Sequence, residues 1–204
     1  MLWGDAIGLR AFEDPATDAE IERVYRWSRD ERILRWSGGS PTELTLQEFC
    51  ERLRGEQRNP SDHRRAFFIV TRPLNLQASE LIGRIGCFGI DWDKREGELG
   101  IVIGEPARWG RGYGRAAVAL LLRHLFQATV LERVNLFTYA ENLRAQRCFA
   151  ACGFRAISTA RRFSPDIGAY DGVEMEITRR EFLGQHGAPS VLYTDEIKIY
   201  EEAK

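Results

Sequence analysis

The sequence predicts a mixed α/β domain (α+β in layout) built on one sheet, and three observations carry that prediction. Alternating apolar segments and segments of helical apolar spacing follow in the order strand, two helices, three strands, helix, strand, helix, two strands. Strand–helix–strand succession is confined to the second half, unlike a doubly wound dinucleotide fold. The 204 residues, 44% of them apolar, supply one substantial core but not a second full domain. Residues 1–184 therefore read as a single domain. Residues 185–204 form a tail whose "SVLYTDEIKIY" reads either as an extra strand, with a homodimer if it pairs on a partner subunit, or as a frayed end.

In chain order, "IGLRAFE" (7–13) alternates as a first strand. "DPATDAEIERVYRWSRD" (14–30) offers Asp and Thr caps and sets Ile21, Val24, Tyr25 and Trp27 at helical spacing. "GGSPTELTLQEFCERLRGE" (38–56) breaks the chain and starts a second helix, where Thr45 and Glu48 have capping-box spacing. "RRAFFIVTR" (64–72) is a strand and "PLNLQASE" a turn. "LIGRIGCFGIDW" (81–92) is a strand whose glycines mark a bulge or a close backbone approach. "DKREG" turns into a fourth strand, "ELGIVIGEP" (98–106). A long helix runs from Gly112 to Ala128, followed by a fifth strand, "RVNLFTYA" (133–140). "NLRAQRCFAACGF" (142–154) is a short helix stopped by Gly153. "FRAISTARRFS" and "GVEMEITRREF" are the last two strands, joined by the loop "PDIGAYD".

The formal net charge of -1 gives no global basic field, so neither nucleic acid nor a membrane is an expected partner. Cys148 and Cys152 are an i,i+4 pair, with no second pair spaced to complete a zinc site; no metal is expected, and the cysteines read as small buried residues. His63, His124 and His186 have no neighbours that suggest a triad. No apolar run is long enough to cross a bilayer and the N-terminus lacks a signal-peptide pattern, so a reduced cytoplasmic setting is expected.

The informative stretch is "RWGRGYGRAA" (108–117), which opens the long helix with three glycines and three arginines. Glycine there costs roughly 0.5–1 kcal/mol per residue relative to alanine. A bound anion would offset that cost. Helix N-termini present unpaired N–H groups and a partial positive charge. Gly110, Gly112 and Gly114 let successive amides curl into a nest, and Arg108, Arg111 and Arg115 add long donors. The third gap is wrong for a dinucleotide fingerprint, and no G-K-[ST] follows. For a magnesium-dependent nucleotide enzyme, the chain lacks a loop lysine and an obvious carboxylate pair.

On these residues the chain resembles the GNAT acetyltransferase superfamily, whose acetyl-CoA signature is Gln/Arg-x-x-Gly-x-Gly/Ala. Arg111, Gly114 and Ala116 match it. "IVIGEPARWGRGYGRAAVALLLRHLF" looks like the branch of ribosomal-protein N-terminal acetyltransferases. "YAENLRAQRCFAACGF", with Asn142, Ala145, Gly153 and Phe154, and "AYDGVEMEITRREF" resemble that branch's later motifs. The resemblance spans about residues 6–183.

It implies one central, mostly antiparallel sheet, flanked by helices and splayed between strands four and five, with the pantetheine arm of acetyl-CoA inserted in the gap. Ile101, Val102 and Ile103 would pair with that arm, and an N–H near Ile103 would polarise the thioester carbonyl. Amides from Arg111 through Gly112, Tyr113, Gly114 and Arg115 to Ala116 would hold the diphosphate, with Arg108 beside them. Asn142, Ala145 and Phe149 would meet the cofactor from the other side.

The implied reaction is direct attack by a primary amine, of a protein or peptide N-terminus or a small molecule. Neutralising a lysine-like amine at pH 7 costs about 4.6 kcal/mol, an α-amine about 1.4. Glu98 could act as base through water or be a solvent-facing strand end; Glu141 reads as a helix-start charge. Trp36, Trp92, Tyr170 and Asp171 are candidates for the acceptor side. Many family members carry a Tyr proton donor four residues before the Gly of "GF"; this chain has Phe149 there. Tyr139, Cys148 or water could donate instead, or no acid is needed. Phe149 also motivates an alternative, an acyl-CoA-binding module without catalysis.

Overall fold

The computed structural model describes residues 1–73, 78–164 and 168–186. The strands are β1 (Leu2–Trp3), β2 (Ile7–Ala11), β3 (Arg65–Thr71), β4 (Leu81–Asp91), β5 (Glu96–Ile103), β6 (Arg133–Tyr139), β7 (Arg155–Ser164) and β8 (Gly168–Thr178). The helices are α1 (Asp18–Trp27), α2 (Glu31–Ser37), α3 (Leu46–Arg58), α4 (Tyr113–Ala128), α5 (Leu143–Ala150) and α6 (Arg179–His186).

Among the described residues the strands form one eight-stranded sheet in the order β1-β2-β3-β4-β5-β6-β8-β7. Its neighbours are antiparallel except β5 and β6, which run parallel. That parallel pair is registered only at Glu96↔Arg133, Gly97↔Val134 and Glu98↔Asn135. Beyond it β5 stays with β4 to Ile103 and β6 stays with β8 to Tyr139, so the sheet splits.

Side-chain alternation fills both faces. On β3, Phe67 and Ile69 join a core with Leu121, Leu122 and Leu125 of α4. Phe68 and Val70 join a second core with Ile21, Val24, Phe49 and Leu53 of α1 and α3. The run "FFIV" is thus apolar throughout because helices cover both sides. Both readings of the β4 glycines hold. A Cβ on Gly83 would stand 2.4 Å from the Val102 carbonyl, a close approach, and Gly89 (φ 55) lies where the register shifts between Phe88 and Asp91.

The structure departs from expectation at several points. Asp30 caps a separate short helix, α2, by accepting from the Arg32 N–H, and Gly38 closes it at φ 75. β1 pairs briefly with β2 and was not foreseen. The last strand begins earlier than expected, so Tyr170 and Asp171 are strand residues. It ends at Thr178, where Thr178 and Glu181 exchange capping-box bonds and start α6. α6 runs through His186, past the expected start of the tail at 185; the "SVLYTDEIKIY" segment lies outside the described residues.

Arg179, at the start of α6, donates to the carbonyls of Phe126, Thr129 and Leu131 at 2.6–3.0 Å and pairs with Glu132 at 3.2 Å. It ties the end of α4 to the sheet. Arg179→Ala should cost about 2 kcal/mol and lower Tm by roughly 4–8 °C in a thermal melt, because it orphans several carbonyls at once.

Candidate functional site

The split between β5 and β6 opens into a cleft of about 1000 Å³. Its floor is the freed edge of β5. Gly104 N–H donates to Ile82 O at 2.9 Å. Alternation then turns the Val102 peptide groups toward β4 and those of Ile101 and Ile103 toward the gap. The Val102 backbone is therefore not available to a ligand as expected; its side chain instead packs in the α1/α3 core. The Ile103 carbonyl already accepts from Trp109 Nε1 at 2.8 Å.

The chain leaves β5 through a turn at Pro106–Arg108 and enters α4 at the glycines. Gly110 and Gly112 have φ of 73 and 83, and no atom lies within 4 Å of a Cβ at either. They are needed for their backbone conformation, not for room. Gly114 is the reverse. Its φ is not left-handed, and a Cβ there would meet Cys148 Sγ at 3.5 Å, inside the cleft. Gly112 is the N-cap and offers no side chain, so the amides of Tyr113, Gly114 and Arg115 have no partner within the helix. Ala116 N–H donates to Gly112 O at 3.0 Å and drops out of the expected nest.

Of the arginines, Arg108 is engaged by Glu80 and by the Tyr113 hydroxyl (3.4 Å), although it still borders the cleft. Arg111 and Arg115 are exposed at the cleft wall. Sequence reasoning missed Arg144 and Arg147, which reach the cleft from α5; Arg144 lies 4.0 Å over the Trp109 ring. Their signal was the shared helical face of 144, 147 and 148. Asn142 is buried and caps α5, its Oδ1 accepting from Ala145 N–H at 3.2 Å. Asn142, Ala145, Cys148 and Phe149 all line the cleft. Phe149 packs edge-on against Phe154. A hydrogen bond with Cys152, helped by nearby Arg115, pulls the Cys148 thiol pKa down; the same bond and burial push that of Cys152 up.

On the opposite face of the sheet, the cleft is bordered by Glu98, Phe88 and Arg84, with Trp36 and Ile33 of α2 above. Glu98 is exposed at the point where β5 and β6 part. Other expected residues do not line this cleft. The Tyr139 hydroxyl lies against Gly38, and its ring packs on Tyr170 at 4.8 Å; burial and Tyr170 raise its pKa. Tyr170 also leans on Phe137, placing both tyrosines in an aromatic cluster beside the cleft. Asp171 is exposed on β8, opposite Arg161. Trp92 donates to Asp62 O at 3.2 Å and lies under Arg65, at the β4–β5 hairpin. Among the described residues there is no group of three or more His, Cys, Asp or Glu that could hold a metal, and no helix long and apolar enough to cross a membrane.

The pattern of the acetyltransferase (GNAT) domain family matches residues 10–155. An N-acetyltransferase 9-like protein of Caenorhabditis briggsae is 23% identical over 178 residues, covering 84% of this chain and 88% of its own. An aminoglycoside N(6')-acetyltransferase of Klebsiella pneumoniae is 27% identical over 188 residues, 87% of this chain and 86% of its own. Among solved structures, the spermidine N-acetyltransferase of Vibrio cholerae, in complex with CoA and spermine, superposes with a TM-score of 0.71 at 22% identity, covering 87% of this chain and 98% of that one. The family match spans most of the domain, including the split strands and the glycine-rich helix start, and on it the chain belongs to the GNAT acetyltransferase superfamily.

Proposed function

We propose that this protein transfers an acetyl group from acetyl-CoA to a primary amine by direct attack in a ternary complex. The observation that carries the reading is the unpaired edge of β5, leading directly to a helix start with free amides. A diphosphate fits there. Tyr113, Gly114 and Arg115 supply N–H groups, Gly114 leaves room, and Arg111, Arg115, Arg144 and Arg147 supply charge. The Ile101 peptide groups and the Ile103 N–H face the gap and would pair with an extended arm as a neighbouring strand would. Asn142, its Oδ1 committed to the cap, has its amide NH₂ left for the arm.

Acetyl-CoA supplies the activated thioester, and the chain supplies placement. A backbone N–H on the freed edge would stabilise the oxyanion. Glu98, at the closed end of the gap, would take the amine proton through water. The departing thiolate needs little help, since a free thiol has a pKa of about 8.5. The acceptor is a protein or peptide N-terminus or a small amine. The aminoglycoside and spermidine acetyltransferases among the relatives support an amine acceptor. Phe149 supports the second reading, a binding module that does not turn over. Coenzyme A at 100-fold over Kd would then stabilise the fold by about 2.7 kcal/mol with no reaction.

The decisive test is release of free thiol from acetyl-CoA in the presence of a panel of amines. Turnover is expected, and Glu98→Gln should lower kcat roughly 10²–10⁴-fold with the Kd for CoA unchanged. CoA binding without turnover on any amine selects the second reading, and an unchanged kcat removes Glu98 from the reaction. Gly114→Ala separates binding from folding by opposite signs. It should raise stability by about 0.5–1 kcal/mol, since it replaces glycine within a helix, while weakening CoA binding on the order of tenfold in calorimetry. Iodoacetamide near neutral pH should alkylate Cys148 ahead of Cys87, whose thiol is pushed up to about 12 by burial, and CoA should slow that labelling. Labelling indifferent to CoA would place the cofactor elsewhere.

A further inference from the structure

The acceptor lobe of the cleft has an unexpected charge balance. Arg84 stands in the middle of β4, opposite Val102, on the face that also carries Glu98. Its neighbours in the chain, Gly83 and Ile85, are buried, yet Arg84 is open to solvent through the cleft that it lines. No hydrogen bond or ion pair holds its guanidinium among the described residues. Protein encloses it on its other sides, and that enclosure lowers its pKa.

The charged groups nearest it are Glu56, Arg52 and Arg64. Glu56 is already shared, with Arg52 at 3.8 Å and Arg64 at 3.7 Å. Arg64 stacks on Phe12 and its Nε is buried without an acceptor. The cluster therefore holds three guanidinium groups and one carboxylate, and it is short of acceptors. Arg84 is hydrated only through the cleft and has no protein acceptor, so an anion entering the cleft can make a charge-assisted bond to it without displacing an existing ion pair.

Resting on the acetyl-transfer reading above, we infer that the acceptor is a primary amine tethered to a carboxylate, and that Arg84 holds the carboxylate while the amine faces Glu98. The two residues lie along one sheet face. Phe88, the register partner of Glu98, is four residues from Arg84, a strand distance of about 13 Å. Trp36, Ile33 and Phe88 provide an apolar wall between them. Glu56 and Glu98 line the same lobe, but Glu56 is already shared by Arg52 and Arg64, so a polycation such as spermidine would find Glu98 alone to balance it against Arg84 and be disfavoured. This chemistry occurs in a free amino acid with a carboxylated side chain or in a peptide with an acidic residue near its N-terminus, either of which holds its carboxylate several bonds away from its amine.

The test compares matched acceptors in the thiol-release assay with the full chain: an amino acid with a carboxylated side chain and its side-chain amide, a peptide with Glu at its second position and the same peptide with Gln, and spermidine. The carboxylated member should have a KM roughly 10- to 100-fold lower than its neutral partner, the scale of a charge-assisted bond. The pair that shows the difference identifies the source. Arg84→Gln should collapse the ratio and Arg84→Lys should restore part of it, with folding checked by thermal melt. Equal KM values for acid and amide, a preference for spermidine, or a ratio unchanged in Arg84→Gln would overturn the inference. Should no amine be acetylated, the transfer reading fails by itself. Calorimetric titration of the same acid and amide into CoA-loaded protein then decides. Arg84-dependent binding of the acid sustains the inference, and equal or absent binding of both ends it.

Discussion

The architecture depends on a ladder that stops. β5 and β6 pair over three residues and then part, each kept by its outer neighbour. The closed end is fastened from several directions. The carbonyl of Arg95 accepts from the amides of Glu132 and Arg133, and Arg179 binds the Leu131 carbonyl. At the open end, Trp109 Nε1 bonds the Ile103 carbonyl and turns the chain away into the glycine-rich start of α4. Unsatisfied backbone groups inside a protein are unfavourable. The short β5–β6 ladder leaves the Ile101 peptide groups and the Ile103 N–H directed into the gap, and the gap leads to the N-terminus of α4.

Charge is distributed to match. The whole chain carries a formal -1, yet Arg111, Arg115, Arg144 and Arg147 border one lobe of the cleft and Arg84 and Arg64 the other. Positive charge is concentrated by position rather than by composition. This is why the bulk charge excluded a nucleic-acid field and still said nothing about anionic ligands. Arg108 shows the contrary case. Its place in the motif suggested ligand binding, but Glu80 engages it, and Glu80 also holds Arg23, so this arginine joins the motif to α1 and to the start of β4.

The fold was legible where one residue type admits a narrow set of conformations. Thr45 with Glu48 marked the start of α3, and the glycine run from 110 to 114 marked the start of α4, where Gly110 and Gly112 prove left-handed. The same rule at Thr178 and Glu181 was in plain view but was masked by the strand-like alternation of "GVEMEIT". The split sheet came from the family resemblance alone, because periodicity describes a strand's faces and says nothing of where its pairing ends. Depth along a strand is equally hidden. Tyr139 shares a face with Phe137 but is two residues farther along, enough to set its hydroxyl against Gly38 instead of in the cleft. Trp92 failed likewise, immediately beyond the β4 register shift where the hairpin turn begins. Arg84 was readable as a charge inside "LIGRIGC", where each flanking residue is buried. A charged residue at such a place is either paired or functional, and pairing is what only the structure could test.

Phe149 bears on how the proposed reaction divides its labour. Its ring is buried against Phe154 and has no proton to give; of the two side chains named as alternative donors, Tyr139 sets its hydroxyl against Gly38 and Cys148 lines the cleft. A thiolate with a conjugate acid near pKa 8.5 is a competent leaving group in water. Loss of a dedicated acid is therefore tolerable on the departing side. The attacking side has no such latitude, because an amine that arrives charged is no nucleophile. The chemistry of the free amine then matters most. An α-amine is about 3 kcal/mol easier to neutralise at pH 7 than a lysine-like amine, close to what one water-bridged carboxylate contributes. A site with Glu98 at the parting of β5 and β6, and a phenyl ring in place of the tyrosine acid opposite, suits an acceptor whose amine is already weakly basic.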